Sequence, residues 1–167
     1  MKIHEQFAIF IEPPGNIQKE IHTLRLASAA ITQNAEILSF PDLIPVCVVS
    51  EAVPYEKIFY YEKLFRGHVC IQNTIADDSG YLFLPVLIGN TTAETFIIQE
   101  QLPAAWKLCN ISVGKANSLE SMQKALQSSG PLCFSSGRIL VTKLSFLDKS
   151  GTSFALQIIR SVHRKKP

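Results

Sequence analysis

A chain of 167 residues that is 47% apolar and 18% charged, with a formal net charge of +2, is too apolar for disorder and too weakly charged to bind nucleic acid by bulk electrostatics. A chain of this length buries enough surface to stand without metal or disulfides. The charged fraction lies below the roughly 25% of an average soluble protein, so part of the surface is expected to be covered by a partner or ligand.

Taken in order, the apolar run 7–11 reads as a buried strand closed by the Pro13-Pro14-Gly15 turn. Asn16 suits a helix N-cap, and Ile17, Ile21, Leu24 and Ala27 follow at helical spacing, with Lys19, His22 and Arg25 toward solvent. The helix fades near residues 32–34. Residues 36–40 make a short strand candidate, Pro41-Asp42 a turn, and 44–49 a second apolar strand. Residues 55–65 read as an aromatic-rich helix stopped by Gly67, with Tyr55, Phe59, Tyr60 and Phe65 in the core.

Residues 69–74 suggest a strand, 76–80 a turn, and 81–88 a strand in which Pro85 demands an edge or a bulge. Thr91 and Glu94 have capping-box spacing for a short helix to Gln101, although 95–98 would also suit a strand. Residues 108–115 alternate, with Ile111 and Val113 on one face and Asn110, Ser112 and Gly114 on the other. Asn117 and Ser118 open a helix carrying Leu119, Met122, Ala125 and Leu126, ended by Gly130-Pro131. Residues 137–147 and 153–159 form a hairpin, and the basic tail frays. This order gives an α+β fold of mostly antiparallel sheet with flanking helices in one domain, 1–167, with a weak internal duplication.

The cysteines, at 47, 70, 109 and 133, form no CxxC pair and read as reduced, mostly core residues. The start of the chain lacks the apolar core of a signal peptide. The longest apolar runs, 43–49 and 81–88, each contain a proline and are far shorter than the roughly 20 residues of a membrane span. A cytoplasmic protein without membrane contact is expected, in which the sequons at Asn90 and Asn110 carry no sugar. His4, His22, His68 and His163 have no metal-ligand spacing, and Asp77-Asp78 reads as a solvated turn, so neither metal nor cofactor is expected. Cys47 has no neighbouring base to activate it as a nucleophile.

Two stretches organise the rest: Pro41-Asp42-Leu43-Ile44-Pro45-Val46-Cys47-Val48 and Cys109-Asn110-Ile111-Ser112-Val113-Gly114-Lys115. They resemble the two His-x-Thr/Ser signature strands of the two-histidine phosphoesterase superfamily, the 2′-5′ RNA ligase-like proteins. The resemblance implies a bilobal, pseudo-duplicated fold with a groove between lobes, one histidine acting as base and the other as acid across a phosphodiester. Here Pro45 and Asn110 stand at the histidine positions and Cys47 and Ser112 at the hydroxyl positions, while Gly114 matches and Lys115 replaces an arginine.

Proline cannot titrate and asparagine cannot carry a proton through a reaction. A catalytically degenerate protein with no catalytic residues is therefore expected. On this reading Asn110, Ser112, Lys115 and Cys47 line a groove that binds a nucleotide, an RNA end or another phosphorylated ligand. The alternative is an interaction or structural module on the same fold, forming a homodimer by edge pairing through strand 81–88. An active phosphodiesterase with an unrecognised constellation is the further alternative.

Overall fold

The computed structural model describes residues 4–49, 54–89, 102–115, 117, 119–126 and 130–166. They form an α+β fold with two antiparallel sheets and three α-helices. In the first sheet the order is β2 (Ile44–Val49), β1 (His4–Glu12), β8 (Arg138–Phe146), β9 (Phe154–His163). Strand β1 lies inside this sheet and is apolar on both faces. Ile9 and Ile11 join the main core, while Ala8 and Phe10 join a second cluster with Phe40, Trp106, Leu140, Leu144 and Phe146. An alternating pattern would fit a strand with only one buried face.

The second sheet is built on β5 (Tyr81–Ile88). Strands β3 (Val69–Ile71) and β4 (Ala76–Asp78) pair with its two ends on one edge, β6 (Asn110–Lys115) pairs along the other, and β7 (Leu132–Phe134) pairs with β3. Strand β5 is thus interior, so the edge expected to mediate homodimer pairing is occupied on both sides. Pro85 is tolerated there because its carbonyl accepts from Gln72 N–H at 2.8 Å. Its missing donor faces the same side, where the chain departs from β5 between β3 and β4. That gap needs no hydrogen bond.

Helix α1 (Gly15–Thr32) starts on Pro14, whose carbonyl takes the first bonds from Ile17 and Gln18, rather than on an Asn16 cap. It stops at Gln33, which adopts a left-handed conformation, φ 53°. Its buried stripe is Ile17, Ile21, Arg25 and Ser28, so Arg25 is covered and not solvated. Residues Glu36–Ser39 form a 3-10 turn where a strand was expected. Asn34 Oδ1 accepts from Glu36 N–H and Ser39 Oγ donates to the Glu36 carbonyl, and such local bonds compete with strand pairing.

Helix α2 (Tyr55–Leu64) buries Ile58 and Glu62 while Tyr55, Phe59 and Tyr60 are exposed; of the expected aromatic core only Phe65 is fully covered. Helix α3 (Leu119–Leu126) buries Met122 and Leu126. The helix expected over 91–101 lies outside the described residues. No described helix is long and apolar enough to cross a membrane.

Cys70 and Cys133 sit directly opposite each other on β3 and β7 and are joined by a disulfide, correcting the reduced reading for these two. Cys47 and Cys109 are free.

Candidate functional site

The two organising stretches meet. Strand β2 ends the first sheet and β6 ends the second, and the Cys109 N–H donates to the Pro45 carbonyl at 2.7 Å, with Cys109 at φ 54°. Register decides what each strand presents at this joint. In β6, Asn110 pairs with Pro85 and Ser112 with Phe83, while Ile111 pairs with Leu84 of the main core. Asn110 and Ser112 therefore share the face away from that core.

Strand β2 behaves differently. Phe10 pairs with Pro45 but Ile9 pairs with Cys47, leaving Val46 as an extra residue in a bulge. Pro45 stays on the Phe10 side, whereas Cys47 and Val46 turn to the main core. Thus Asn110, Ser112 and Pro45 line one small cavity, and Cys47 is set apart on the opposite face.

That cavity is nearly full. Its volume is about 10 Å³, roughly the room of one water. The segment running into β6 folds over it: the Trp106 indole packs against Phe40 at 4.9 Å, Phe154 at 5.0 Å, and Phe10 and Phe146 each at 6.1 Å between ring centroids. Trp106 Nε1 donates to the Gly151 carbonyl at 2.7 Å, and Ala105 N–H to Ser150 O at 2.8 Å. Gly151 permits this approach, since a Cβ there would lie 2.7 Å from Pro103 Cβ and 2.8 Å from Trp106 Cδ1.

The polar side chains of the joint are spent on the protein itself. Ser112 Oγ donates to the Ala105 carbonyl, and Asn110 Nδ2 to the Leu108 carbonyl at 2.9 Å. Arg25 donates to the carbonyls of Ser112, Phe40 and Pro41 and to Asp42 Oδ1, all at 2.9–3.0 Å. Burial pulls its pKa down to about 10 against the opposing attraction of Asp42, which leaves it cationic at neutral pH. Lys115, at the far end of β6, is half-exposed and pairs with Glu36 at 3.2 Å.

The thiols are poorly suited to attack. Burial raises the pKa of both, Cys109 to about 11 with a further push from Cys47, so the protonated form dominates at neutral pH. All four histidines are exposed, and among the described residues no cluster of His, Cys, Asp or Glu could hold a metal ion.

The sequence reading missed Arg25 and Trp106. Arg25 lies four residues after Ile21, on the very stripe that Ile17 and Ile21 define, which was a legible signal. Trp106 is the one tryptophan of the chain and sits just upstream of β6. Comparison with protein-family models and with curated proteins finds no match.

Proposed function

We propose that the chain is a non-catalytic protein with the bilobal layout of the two-histidine phosphoesterases, in which the groove between the lobes has closed into a structural joint. Each sheet with its helices makes one lobe, and the protein works as an interaction or structural module. The observation that carries this reading is Trp106 seated over Asn110, Ser112 and Pro45, with both polar side chains committed to backbone carbonyls. A binding groove would hold those groups ready for a ligand. The joint also lacks two side chains that titrate near neutral pH, which general acid–base cleavage requires.

The ligand-binding reading, in which a nucleotide or RNA end enters this groove, requires Trp106 to leave an aromatic cage and break its indole hydrogen bond. Incubation of the purified protein with a 2′,3′-cyclic nucleotide, and titration with the same compound while Trp106 fluorescence is followed, separates the two. No turnover and no saturable fluorescence change is expected. Turnover, or a saturable change, would overturn the closed-joint proposal.

Self-association, if the module works that way, falls to β9. It ends the first sheet over ten residues, and no described strand pairs with its outer edge. Light scattering of the eluting protein should then show a dimer that Ile158→Lys dissociates, and a monomer at high concentration would remove this form of association.

A further inference from the structure

Helix α2 turns aromatic side chains outward. It buries Ile58 and Glu62, while Tyr55, Phe59 and Tyr60, outside that stripe, are 55%, 42% and 63% exposed. Tyr55 and Phe59, one turn apart, meet edge to face at 5.4 Å between centroids, and Tyr60 meets Tyr61 in the same way at 5.3 Å. The surface around these rings is basic. The end of the chain folds back on the C-terminal end of α2: the Lys165 N–H donates to Glu62 Oε1 at 2.7 Å and Arg164 to the Phe65 carbonyl at 3.0 Å. Residues 55–68 and 160–166 thereby share one surface. Together they hold seven lysines and arginines against two glutamates, a formal +5 in a chain whose total is +2, which leaves −3 for everything else. Glu62 is buried and spent on Arg66 and the Lys165 N–H. Glu56 is then the one exposed acid of these two segments, against exposed Lys57, Lys63, Lys165 and Lys166.

We infer that the outer face of α2, with the basic end of β9 and the residues after it as its rim, docks an acidic segment of a partner protein that carries apolar anchoring side chains. An interface core enriched in tyrosine and phenylalanine inside a charged rim is the ordinary anatomy of a protein-binding patch. The sign of the rim selects an acidic partner, because like charges placed across an interface are costly and opposite ones steer the encounter. The geometry of the rings speaks against single-stranded nucleic acid: each edge-to-face pair spends a ring face on its neighbour, and a base needs an open face to stack on. A lipid surface fits less well, since Glu56, Lys57 and Lys63 interrupt the rings on a ten-residue helix, where membrane insertion needs a continuous apolar face. This inference rests on the reading of the chain as an interaction module and names its partner. The closed joint is tested separately with the cyclic nucleotide, so a failure here leaves that result standing.

The test is an amide NMR titration of the whole protein with a synthetic peptide that has leucine at i, i+4 and i+7 and glutamate between, an apolar stripe with an acidic rim. Saturable shifts should centre on residues 55–66 and 160–166. Two variants of the peptide, one with serine for leucine and one with lysine for glutamate, should each bind at least about tenfold more weakly. Tyr60→Ala should weaken the original peptide about fivefold or more, the cost of truncating an anchoring side chain, with little change in melting temperature because the ring is mostly exposed. Lys63→Glu combined with Lys165→Glu should weaken it about tenfold and flatten its salt dependence. Shifts centred elsewhere, equal binding of the three peptides, or unchanged affinity in Tyr60→Ala would overturn the proposal. So would tighter binding of oligothymidylate or of phosphatidylserine vesicles than of the leucine–glutamate peptide.

Discussion

In the first sheet, β8 pairs with β1 over nine positions and with β9 over nine more. In the second, the pairings of β3 with β5, β3 with β7 and β4 with β5 cover three positions each, and only β5 with β6 reaches five. Long ladders carry their own register, because slipping one residue would turn every core side chain outward. Short ladders do not, and the second sheet relies on ties from elsewhere: the Cys70–Cys133 bond, Arg25 on the Ser112 carbonyl, and Arg164 on the carbonyls of Phe65, Gly67 and Ser136. A single side-chain change should therefore cost far more in the second sheet than at comparable sites along the first.

The largest effect is expected from Arg25→Ala, which leaves three carbonyls and Asp42 without their buried partner. Chemical denaturation should show a loss of about 3–5 kcal/mol, the range for breaking a buried ion pair from one side. A loss under about 1 kcal/mol would mean that the joint is held by packing alone.

Next comes the disulfide, which spans a sequence separation of 63 residues. Replacing both cysteines by alanine should cost about 2–4 kcal/mol. Hydrogen exchange should rise first in β3, β5 and β7, and exchange rising equally in β1 and β8 would erase the contrast between the sheets. Gly151→Ala, which drives a Cβ into Pro103 and Trp106, should cost about 1–3 kcal/mol by overpacking. Because Trp106 is the sole tryptophan, its emission should shift to the red as the indole loosens; an unshifted spectrum would argue that Pro103 gives way instead.

A smaller effect depends on pH. Burial alone would raise the pKa of Glu62, but hydrogen bonds from Arg66 and from the Lys165 N–H, with their charges, hold it below the ordinary 4.5. A lowered folded-state pKa contributes stability that is present above the unfolded value and lost as pH falls through the folded one. Stability should decline below about pH 4.5, and Glu62→Gln should flatten that decline; an unchanged acid limb would assign it to other carboxylates. The smallest effect belongs to the first sheet: Glu5→Ala, removing a 3.2 Å pair with Lys143, should change stability by less than about 0.5 kcal/mol.

How much of this was legible follows the same division. The strands near 7–11 and 44–49, the helices after Pro14 and Tyr55 and the final hairpin announce themselves by period and punctuation, since neighbours in sequence fix them. The interior place of β5 was hidden because Pro85 argues for an edge unless one knows that β3 and β4 break opposite it. The burial of Arg25 was legible from the helix stripe it shares with Ile17 and Ile21, but its acceptors were not, the farthest, the Ser112 carbonyl, lying 87 residues away. Tyr55, Phe59 and Tyr60 were placed in the core by their chemistry, yet only the packing of Ile58 and Glu62 reveals which helix face turns inward. At the joint, the polar character of Asn110 and Ser112 was legible, but the groups that consume it were not.

The extra residue at Val46 bears on any attempt to build two-histidine chemistry into this joint. Substituting Pro45→His, Cys47→Thr and Asn110→His would write a His-x-Thr and a His-x-Ser into the two strands. The new histidines would emerge on the side of Phe10 and Trp106, while the new threonine would point into the main core beside Ile9. Those substitutions alone would yield the motifs and a set of side chains that never assembles. Restoring an unbulged register, with Val46 opposite Ile9 and position 47 opposite Ala8 so that 45 and 47 share a face, is the change that any such engineering must make first.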